Sequence, residues 1–266
     1  MRIFPYPAAD TPRQIAIAAR ALRHRLGLAL LASAIMLLLL IPLVFVPALR
    51  APPDWLGVRG GVGRGIVLEV PIAIAVAALT HRLAGFGNVG LDRRGAWTSL
   101  GLSLPVLVLS LSEAKAVTLP SATTLVGIAI LALFVAIVEE VYGRGLLVTL
   151  LGGRRHARLA IIGSSVLFAY LHMPIYVYRH GLVDALLRCS TSAAFSAVFA
   201  TIRLRSGSLA GPIVFHGIND AQFFLSGDVN GEAALSARPM LVGGVIAFVY
   251  WFSCRRAILE LDGARA

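Results

Sequence analysis

The stretch FVAIVEEVYGRGLLVTLLG, residues 134–152, has the apolar composition of a membrane-spanning helix, yet Glu139, Glu140 and Arg144 lie near its middle. A charged group inside a bilayer costs about 2.5–3.5 kcal/mol on insertion scales, so such a group is by default a candidate for function. The alternative reason for its presence is a structural ion pair. The stretch therefore predicts a membrane helix that carries either a polar site or a buried pair.

The composition of the whole chain points to a membrane protein. Of its 266 residues, 58% are hydrophobic and only 14% are charged, and the mean hydropathy is +0.83. Soluble globular domains carry about 25% charged residues, so the composition excludes an ordinary soluble protein. A helix pairs all of its backbone polar groups internally, as lipid requires. We therefore predict an all-α, polytopic membrane helical bundle with about eight transmembrane helices.

Eight apolar segments are candidates for these spans, and the third of them is the weakest. They are residues 28–49, 65–80, 97–112, 122–151, 158–178, 182–202, 208–226 and 239–257. The fourth exceeds the roughly 20 residues that one crossing needs, so we expect it to tilt, break or extend out of the bilayer. The chain then divides into a basic amphipathic N-terminal segment on the membrane face (1–27), the bundle (28–257) and a tail (258–266).

The net charge of +11 comes almost entirely from arginines that lie in short blocks between apolar segments. Such blocks indicate topology and contact with anionic lipid, and no interleaved basic and aromatic surface suggests a nucleic-acid partner. With eight spans, sixteen of the 24 basic residues fall on one side and six on the other. Because basic residues concentrate on the cytoplasmic side, we predict an integral membrane protein with both termini in the cytoplasm. The excess of arginine over lysine hints at a bacterial inner membrane.

Helical spacing separates the charged residues of the spans into pairs and unpaired groups. Residues four apart share a helix face and can pair. Glu140 and Arg144 have this spacing, as do Asp184 and Arg188, so a structural ion pair explains both sets. Glu139 lies about 100° around the helix from Glu140 and has no partner at helical spacing. It is left either to face another helix or to take part in chemistry.

A second apolar segment carries the sequence FAYLHMP, residues 168–174. His172 lies four residues after Phe168, on the same helix face. A lone histidine within a span is often only hydrogen-bonded to a neighbour. Proline disfavours helix at the residue before it, so the Met-Pro pair predicts a disturbance of the helix just after His172.

A third apolar segment carries GPIVFHGIND, residues 211–220. His216 and Asp220 are four apart and share a face, and Asn219 lies on the adjacent face. Three segments thus contribute acids and histidines, and each is weak evidence when taken alone. Together they predict one polar site inside a helical bundle, because scattered burial of so many costly groups would be unfavourable.

The three motifs, in this order, resemble those of the CPBP intramembrane proteases. That family includes the CAAX prenyl endopeptidases and the bacteriocin-processing and self-immunity proteins. The motifs read E-E-x-x-x-R at 139–144, F-x-x-x-H at 168–172 and H-x-x-x-N/D at 216–220. The resemblance covers about residues 122–226, which would form a protease-like core. It implies an intramembrane peptidase, hence a hydrolase, that acts on a membrane-associated or lipid-anchored peptide or protein.

The resemblance also implies roles for single residues. Glu139 and His172 would activate a water molecule, and His216 and Asp220 would face the developing oxyanion. The supporting residues would be Glu140, Arg144, Phe168 and Asn219. Position 220 is aspartate where the prenyl endopeptidases have asparagine, and an ionised Asp220 would repel an oxyanion. It would help if it were protonated, if it oriented His216 or if it bound a metal.

A zinc site is an alternative to metal-independent hydrolysis. His172, His216 and either Glu139 or Asp220 would supply three ligands and leave one position for water. The H-E-x-x-H helix of common zinc proteases is missing from the sequence, so the ligands would come from separate helices. The expected cofactor is therefore none or a divalent metal such as zinc, and metal-independent hydrolysis is slightly favoured.

Two other classes of function fit the sequence less well. A non-enzymatic membrane partner, such as an immunity protein or a scaffold, would need the fold but not the water-activating pair. A proton-coupled transporter would also use intramembrane acids and histidines, but the sequence shows no internal repeat of the kind that transporters have. The remaining groups have simple interpretations as residues that reach water: Glu69, His81, His156 and His180.

Overall fold

The computed structural model describes residues 12–45, 60–112 and 120–225, in which all regular secondary structure is helical. The α-helices are α1 (Pro12–Phe45), α2 (Gly60–Leu83), α3 (Ala96–Ser112), α4 (Ala122–Glu140), α5 (Val148–Leu150), α6 (Ala157–Leu171), α7 (Met173–His180), α8 (Leu182–Ser206) and α9 (Ala210–Leu225). Short 3₁₀ turns lie at Phe86–Asn88 and Gly153–His156. The prediction of an all-α bundle is confirmed for these residues.

Four helical stretches in the described part of the chain are long and apolar enough to cross a membrane. They are Arg20–Ile41, Ala122–Leu150, Gly153–Tyr178 and Leu182–Ser206. The protein is therefore an integral membrane protein. In α3 the apolar stretch is shorter, Ala96–Val108, as expected of the weakest candidate. The eighth predicted span, 239–257, lies outside the described residues, so the count of eight stays a prediction.

The basic N-terminal segment and the first span form one helix. The sequence predicted a basic amphipathic segment on the membrane face (1–27) before the first span, but α1 runs through the boundary between the two, from Pro12 to Phe45. Between the two parts, only Gly27 weakens the helix. A single glycine costs about 1 kcal/mol relative to alanine, which is too little to end so apolar a helix.

The over-long fourth segment is accommodated without a break. α4 passes into a π-helical segment, Val141–Leu147, and then into α5, so one helical rod runs from residue 122 to residue 150. A π-helical turn is rare and frequently marks a functional site. Here it begins directly after Glu139 and Glu140, the two adjacent acids of the first motif.

The predicted disturbance of the fifth segment is present. α6 ends at Leu171, α7 begins at Met173, and His172 lies at the junction between them. Pro174 occupies the first turn of α7, where its missing N–H breaks no helical hydrogen bond. The proline therefore places this histidine at the point where one helix ends and the next begins.

Helix packing places the first motif at the centre of the bundle. α4 packs mainly against α9, α6 against α8, and α3 against α9. Tyr142, Leu146 and Leu147 of the π-helical segment are fully buried in the main apolar core. The hydroxyl groups of Tyr142 and Ser33 form a hydrogen bond of 2.8 Å, which ties this segment to α1.

Three connecting loops meet at one end of the bundle. Arg203, in the last turn of α8, donates to the carbonyl groups of Asn88 at 2.8 Å and Val89 at 3.1 Å, in the loop between α2 and α3. Arg154, in the loop before α6, donates to the carbonyl group of Leu204 at 2.7 Å. The structure thus brings together the arginine-containing connections before α3, before α6 and after α8.

α9 approaches α3 so closely that Gly211 has no room for a side chain. A Cβ atom there would collide with the carbonyl oxygen of Ser99 and the hydroxyl group of Ser103, and the Gly211 N–H donates to the Ser99 hydroxyl at 3.0 Å. We expect Gly211→Ala to lower the free energy of unfolding by about 1–3 kcal/mol, because it overpacks this contact. The measurement is thermal unfolding of the purified protein in detergent.

Gly101→Ala on α3 is the matched control, because a Cβ atom at Gly101 would meet nothing within 4 Å. We expect it to leave the stability unchanged or to raise it slightly, since alanine favours the helix. Equal stability of the Gly211→Ala and Gly101→Ala variants would show that α3 and α9 do not pack in this way.

Candidate active site

A cavity of about 260 Å³ is lined by residues of α4, the π-helical segment, α6, α7, α8 and α9. All four residues that the motif resemblance gave catalytic roles line it: Glu139, His172, His216 and Asp220. Three of the four supporting residues also line it: Arg144, Phe168 and Asn219. The structure thus brings groups from three separate segments to one place, as the sequence predicted.

Glu139 lies between two imidazole rings. Its Oε1 atom is 3.6 Å from His172 Nε2, and its Oε2 atom is 3.7 Å from His216 Nε2. Direct hydrogen bonds are shorter, at about 2.7–3.2 Å, and a polar contact beyond about 3.5 Å is commonly bridged by water. Because the Glu139 side chain remains 26% exposed, water in the cavity can reach its carboxylate.

The backbone fixes the tautomer of His172. Its Nδ1 atom is 3.1 Å from the carbonyl oxygen of Phe168. A carbonyl oxygen only accepts hydrogen bonds, so Nδ1 must carry the proton and donate it. In the neutral ring the other nitrogen, Nε2, is then a hydrogen-bond acceptor, and it is the atom that faces Glu139.

His216 is held by carboxylates on both sides of its ring. Its Nδ1 atom donates to Oε1 of Glu140 at 2.8 Å, and its Nε2 atom is 3.5 Å from Oδ2 of Asp220. Glu140 is completely buried, whereas its neighbour Glu139 opens to the cavity. The two adjacent glutamates of the first motif therefore face different surroundings. The Glu140–His216 contact joins α4 to α9 and was not predicted.

The predicted pair of Glu140 and Arg144 is present. Arg144 Nη1 is 2.9 Å from Glu140 Oε1, and the two side chains are 2% and 0% exposed. The contact is close but poorly aligned for a hydrogen bond, and Arg144 Nε and Nη1 have no hydrogen-bond partner among the described residues. The guanidinium carbon lies 4.2 Å from the ring centre of Phe168 and 5.4 Å from that of Phe199. Cation–π attraction to these rings compensates in part for the missing partners.

Gly143 explains how Phe168 comes so close to the π-helical segment. A Cβ atom at position 143 would lie 2.9 Å from the Phe168 ring, closer than real Cβ contacts. Glycine therefore lets the ring lie against the helix and under the guanidinium of Arg144. Phe168, in turn, provides the carbonyl group that orients His172.

Five cavity residues were not predicted as site residues: Tyr176, Ser192, Phe195, Phe199 and Phe215. The three phenylalanines form an aromatic wall, in which the ring centre of Phe215 is 4.9 Å from that of Phe199 and 6.3 Å from that of Phe195. In the sequence, phenylalanines in apolar helices look like ordinary packing or lipid contacts. Only their position in the cavity that the acids also line marks them as part of the site.

The predictions made for the other ionisable residues agree with the structure only in part. Asp184 and Arg188 form the predicted pair, with 2.6 Å between Oδ2 and Nε. His180, predicted to reach water, lies 3.9 Å from Asp184. Glu69 on α2 is half-buried and lies within electrostatic range of the cavity carboxylates, which the sequence did not suggest.

The arrangement of these side chains does not fit the zinc site that the sequence left open. Among the described residues, no group of three or more His, Cys, Asp or Glu side chains is placed to hold a metal ion. The chemistry below is therefore built on the carboxylates and imidazoles alone.

A helical membrane bundle that gathers these three motifs around one cavity is the arrangement expected of a CPBP intramembrane protease. Residues 121–222 match the family model described as type II CAAX prenyl endopeptidase Rce1-like. This match confirms the resemblance to the CPBP family of intramembrane proteases, and the Rce1-like family consists of proteases, hence hydrolases. The matched residues make up less than half of the chain and nearly coincide with the predicted protease-like core, about residues 122–226. No curated protein and no solved structure shows a significant match.

Proposed function

We propose that this protein is an intramembrane endopeptidase that hydrolyses a peptide bond in a membrane-associated or lipid-anchored substrate. The observation that carries the proposal is the position of Glu139, whose carboxylate lies 3.6 Å from His172 Nε2 and 3.7 Å from His216 Nε2 beside a cavity. The family match supports the reaction class. The distribution of arginines supports a position of both termini in the cytoplasm, and the excess of arginine over lysine supports a bacterial inner membrane.

Water activation is assigned to Glu139 and His172. One hydrogen of a cavity water points to the Glu139 carboxylate, and the other points to Nε2 of His172, which is an acceptor because Nδ1 donates to the backbone. As Glu139 takes the first proton, the water oxygen attacks the carbonyl carbon of the peptide. The electron pair of the C=O double bond moves onto its oxygen. When that pair returns, the C–N bond breaks and the leaving amine takes the proton.

Asp220 is assigned to orienting His216 rather than to holding the oxyanion. Its Oδ2 atom is 3.5 Å from His216 Nε2, and Glu140 holds the opposite ring nitrogen at 2.8 Å. Because each nitrogen of the His216 ring faces a carboxylate, the orientation of the ring is fixed. This is one of the three ways in which an aspartate could serve at a position where the prenyl endopeptidases have asparagine.

The function is tested by comparing membrane proteomes of cells that carry the wild-type protein, Glu139→Ala or His172→Ala. Both variants should accumulate at normal levels and leave the same peptides uncut, because each lacks half of the water-activating pair. His180→Ala is the matched control, since His180 lies on the same short helix but does not line the cavity. Identical peptide patterns in all four strains would refute the protease and would favour a non-enzymatic partner.

A further inference from the structure

The proposed chemistry leaves the developing oxyanion without a committed hydrogen-bond donor. A proton on His216 Nε2 would be directed to the carboxylates of Asp220 and Glu139, at 3.5 and 3.7 Å. The other ring nitrogen is used by Glu140. An ionised Asp220 has no hydrogen to donate and repels negative charge. Acyl transfer depends strongly on donors that are aimed at this oxygen, so another group of the cavity should supply one.

Tyr176 is in a position to donate a hydrogen bond to the oxyanion. It lines the cavity together with Glu139, His172 and Asp220. Its ring stacks on the imidazole of His172, with the ring centres 5.8 Å apart and the planes 24° from parallel. It also lies within electrostatic range of Glu139 and Asp220. Within the described part of the chain, its hydroxyl group makes no hydrogen bond that would compete for the proton.

The position of Tyr176 is well defined. It lies one helical turn after His172, and its N–H donates to the His172 carbonyl group at 3.1 Å. The guanidinium carbon of Arg188 is also 5.8 Å from the Tyr176 ring centre, and Arg188 Nε lies 2.6 Å from Asp184 Oδ2. The ring is therefore near both an imidazole and a guanidinium, and α7 carries it in a fixed relation to His172.

The other donors of the cavity are less suitable. Asn219 already interacts with another residue, and the Nε and Nη1 atoms of Arg144 are buried beside the rings of Phe168 and Phe199. Ser192 has the second hydroxyl group of the cavity, but it lies on α8 one turn before Phe195, on the side of the aromatic wall. Ser192 is therefore the appropriate rival for a test.

We propose that Tyr176 is a further catalytic residue, whose hydroxyl group donates a hydrogen bond to the oxyanion of the tetrahedral intermediate. The inference rests on the proposed peptidase function. As the water oxygen bonds to the carbonyl carbon, the carbonyl oxygen gains the electron pair and the Tyr176 O–H donates to it without losing its proton. When the pair returns to form the C=O bond, the C–N bond breaks and the amine receives the proton held by Glu139.

Tyr176→Phe tests this role, because phenylalanine keeps the stacking on His172 and removes only the hydroxyl group. The probes are synthetic peptides that span the cleavage sites found in the proteome comparison, supplied to protein in lipid nanodiscs. We expect kcat to fall about 100-fold with little change in KM, as for loss of one oxyanion donor. Tyr170→Phe is the matched control, since Tyr170 on α6 is 59% exposed, and its activity should equal that of the wild type.

Ser192→Ala tests the second hydroxyl group of the cavity. We expect its kcat to stay close to that of the wild type. A Tyr176→Phe variant as active as the wild type would overturn the proposal. So would a loss of kcat that follows Ser192→Ala instead. If the wild-type protein itself cleaved none of the peptides, the peptidase function would have failed, which separates the two outcomes.

Discussion

Replacing Glu139 with glutamine is expected to slow peptide cleavage by at least about 1000-fold, the middle of the range that general-base catalysis contributes. The amide has the same shape as the carboxylate but cannot accept a proton from water. The contacts of Glu140 with Arg144 and His216 do not involve this side chain, so the bundle should remain folded. The measurement is the initial rate on the identified peptides in nanodiscs, at equal amounts of folded protein.

Asp92→Asn is the control for loss of one carboxylate. Asp92 lies in the exposed loop before α3, where its carboxylate accepts a hydrogen bond of 3.0 Å from the backbone N–H of Arg94. Its replacement should leave the cleavage rate unchanged. A Glu139→Gln protein that cleaves at the wild-type rate would rule out water activation by this residue, whatever the identity of the substrate.

Arg144→Ala is expected to destabilise the protein by about 3–5 kcal/mol, the cost of breaking a buried ion pair by removing one partner. Glu140, which has no exposed surface, would lose its charged partner, and the space between Phe168 and Phe199 would be left empty. The measurement is the free energy of unfolding in detergent, from denaturant or thermal titrations.

A second ion pair has the same four-residue spacing but is more exposed, so it shows how much of the expected loss of stability depends on burial. Arg188 and Asp184 are also four residues apart and 2.6 Å from each other, but their side chains are 14% and 30% exposed. Solvent-accessible pairs contribute about 0.2–1 kcal/mol, so Arg188→Ala should cost far less than Arg144→Ala. Equal losses from the two substitutions would mean that the Glu140–Arg144 pair is not buried as described.

The parts of the site that could be predicted are local in sequence. Glu140 with Arg144 and His216 with Asp220 were recognised because residues four apart share a helix face, and both contacts are present. The disturbance next to His172 followed from the proline two positions later. Such features depend only on helical geometry and proline chemistry, which hold whatever the helices pack against.

The parts that could not be predicted depend on which helix faces meet. In a membrane protein the lipid-facing and core-facing sides of a helix are both apolar, so hydrophobic periodicity does not distinguish them. The sequence therefore gave no indication that Glu140 contacts His216, or that Phe195, Phe199 and Phe215 form a wall of the cavity. The π-helical turn was not predicted either, although two weak helix formers, Gly143 and Gly145, lie within it.

The central claim is that Glu139, His172 and His216 share one water-accessible pocket within the bundle. Structure determination of the wild-type protein in lipid, at a resolution that shows ordered water, tests it most directly. We predict a water molecule within hydrogen-bonding distance, about 2.7–3.2 Å, of both the Glu139 carboxylate and His172 Nε2, with His216 beside it. Side chains that point to lipid, or that lie too far apart for a single water molecule to join them, would contradict the account.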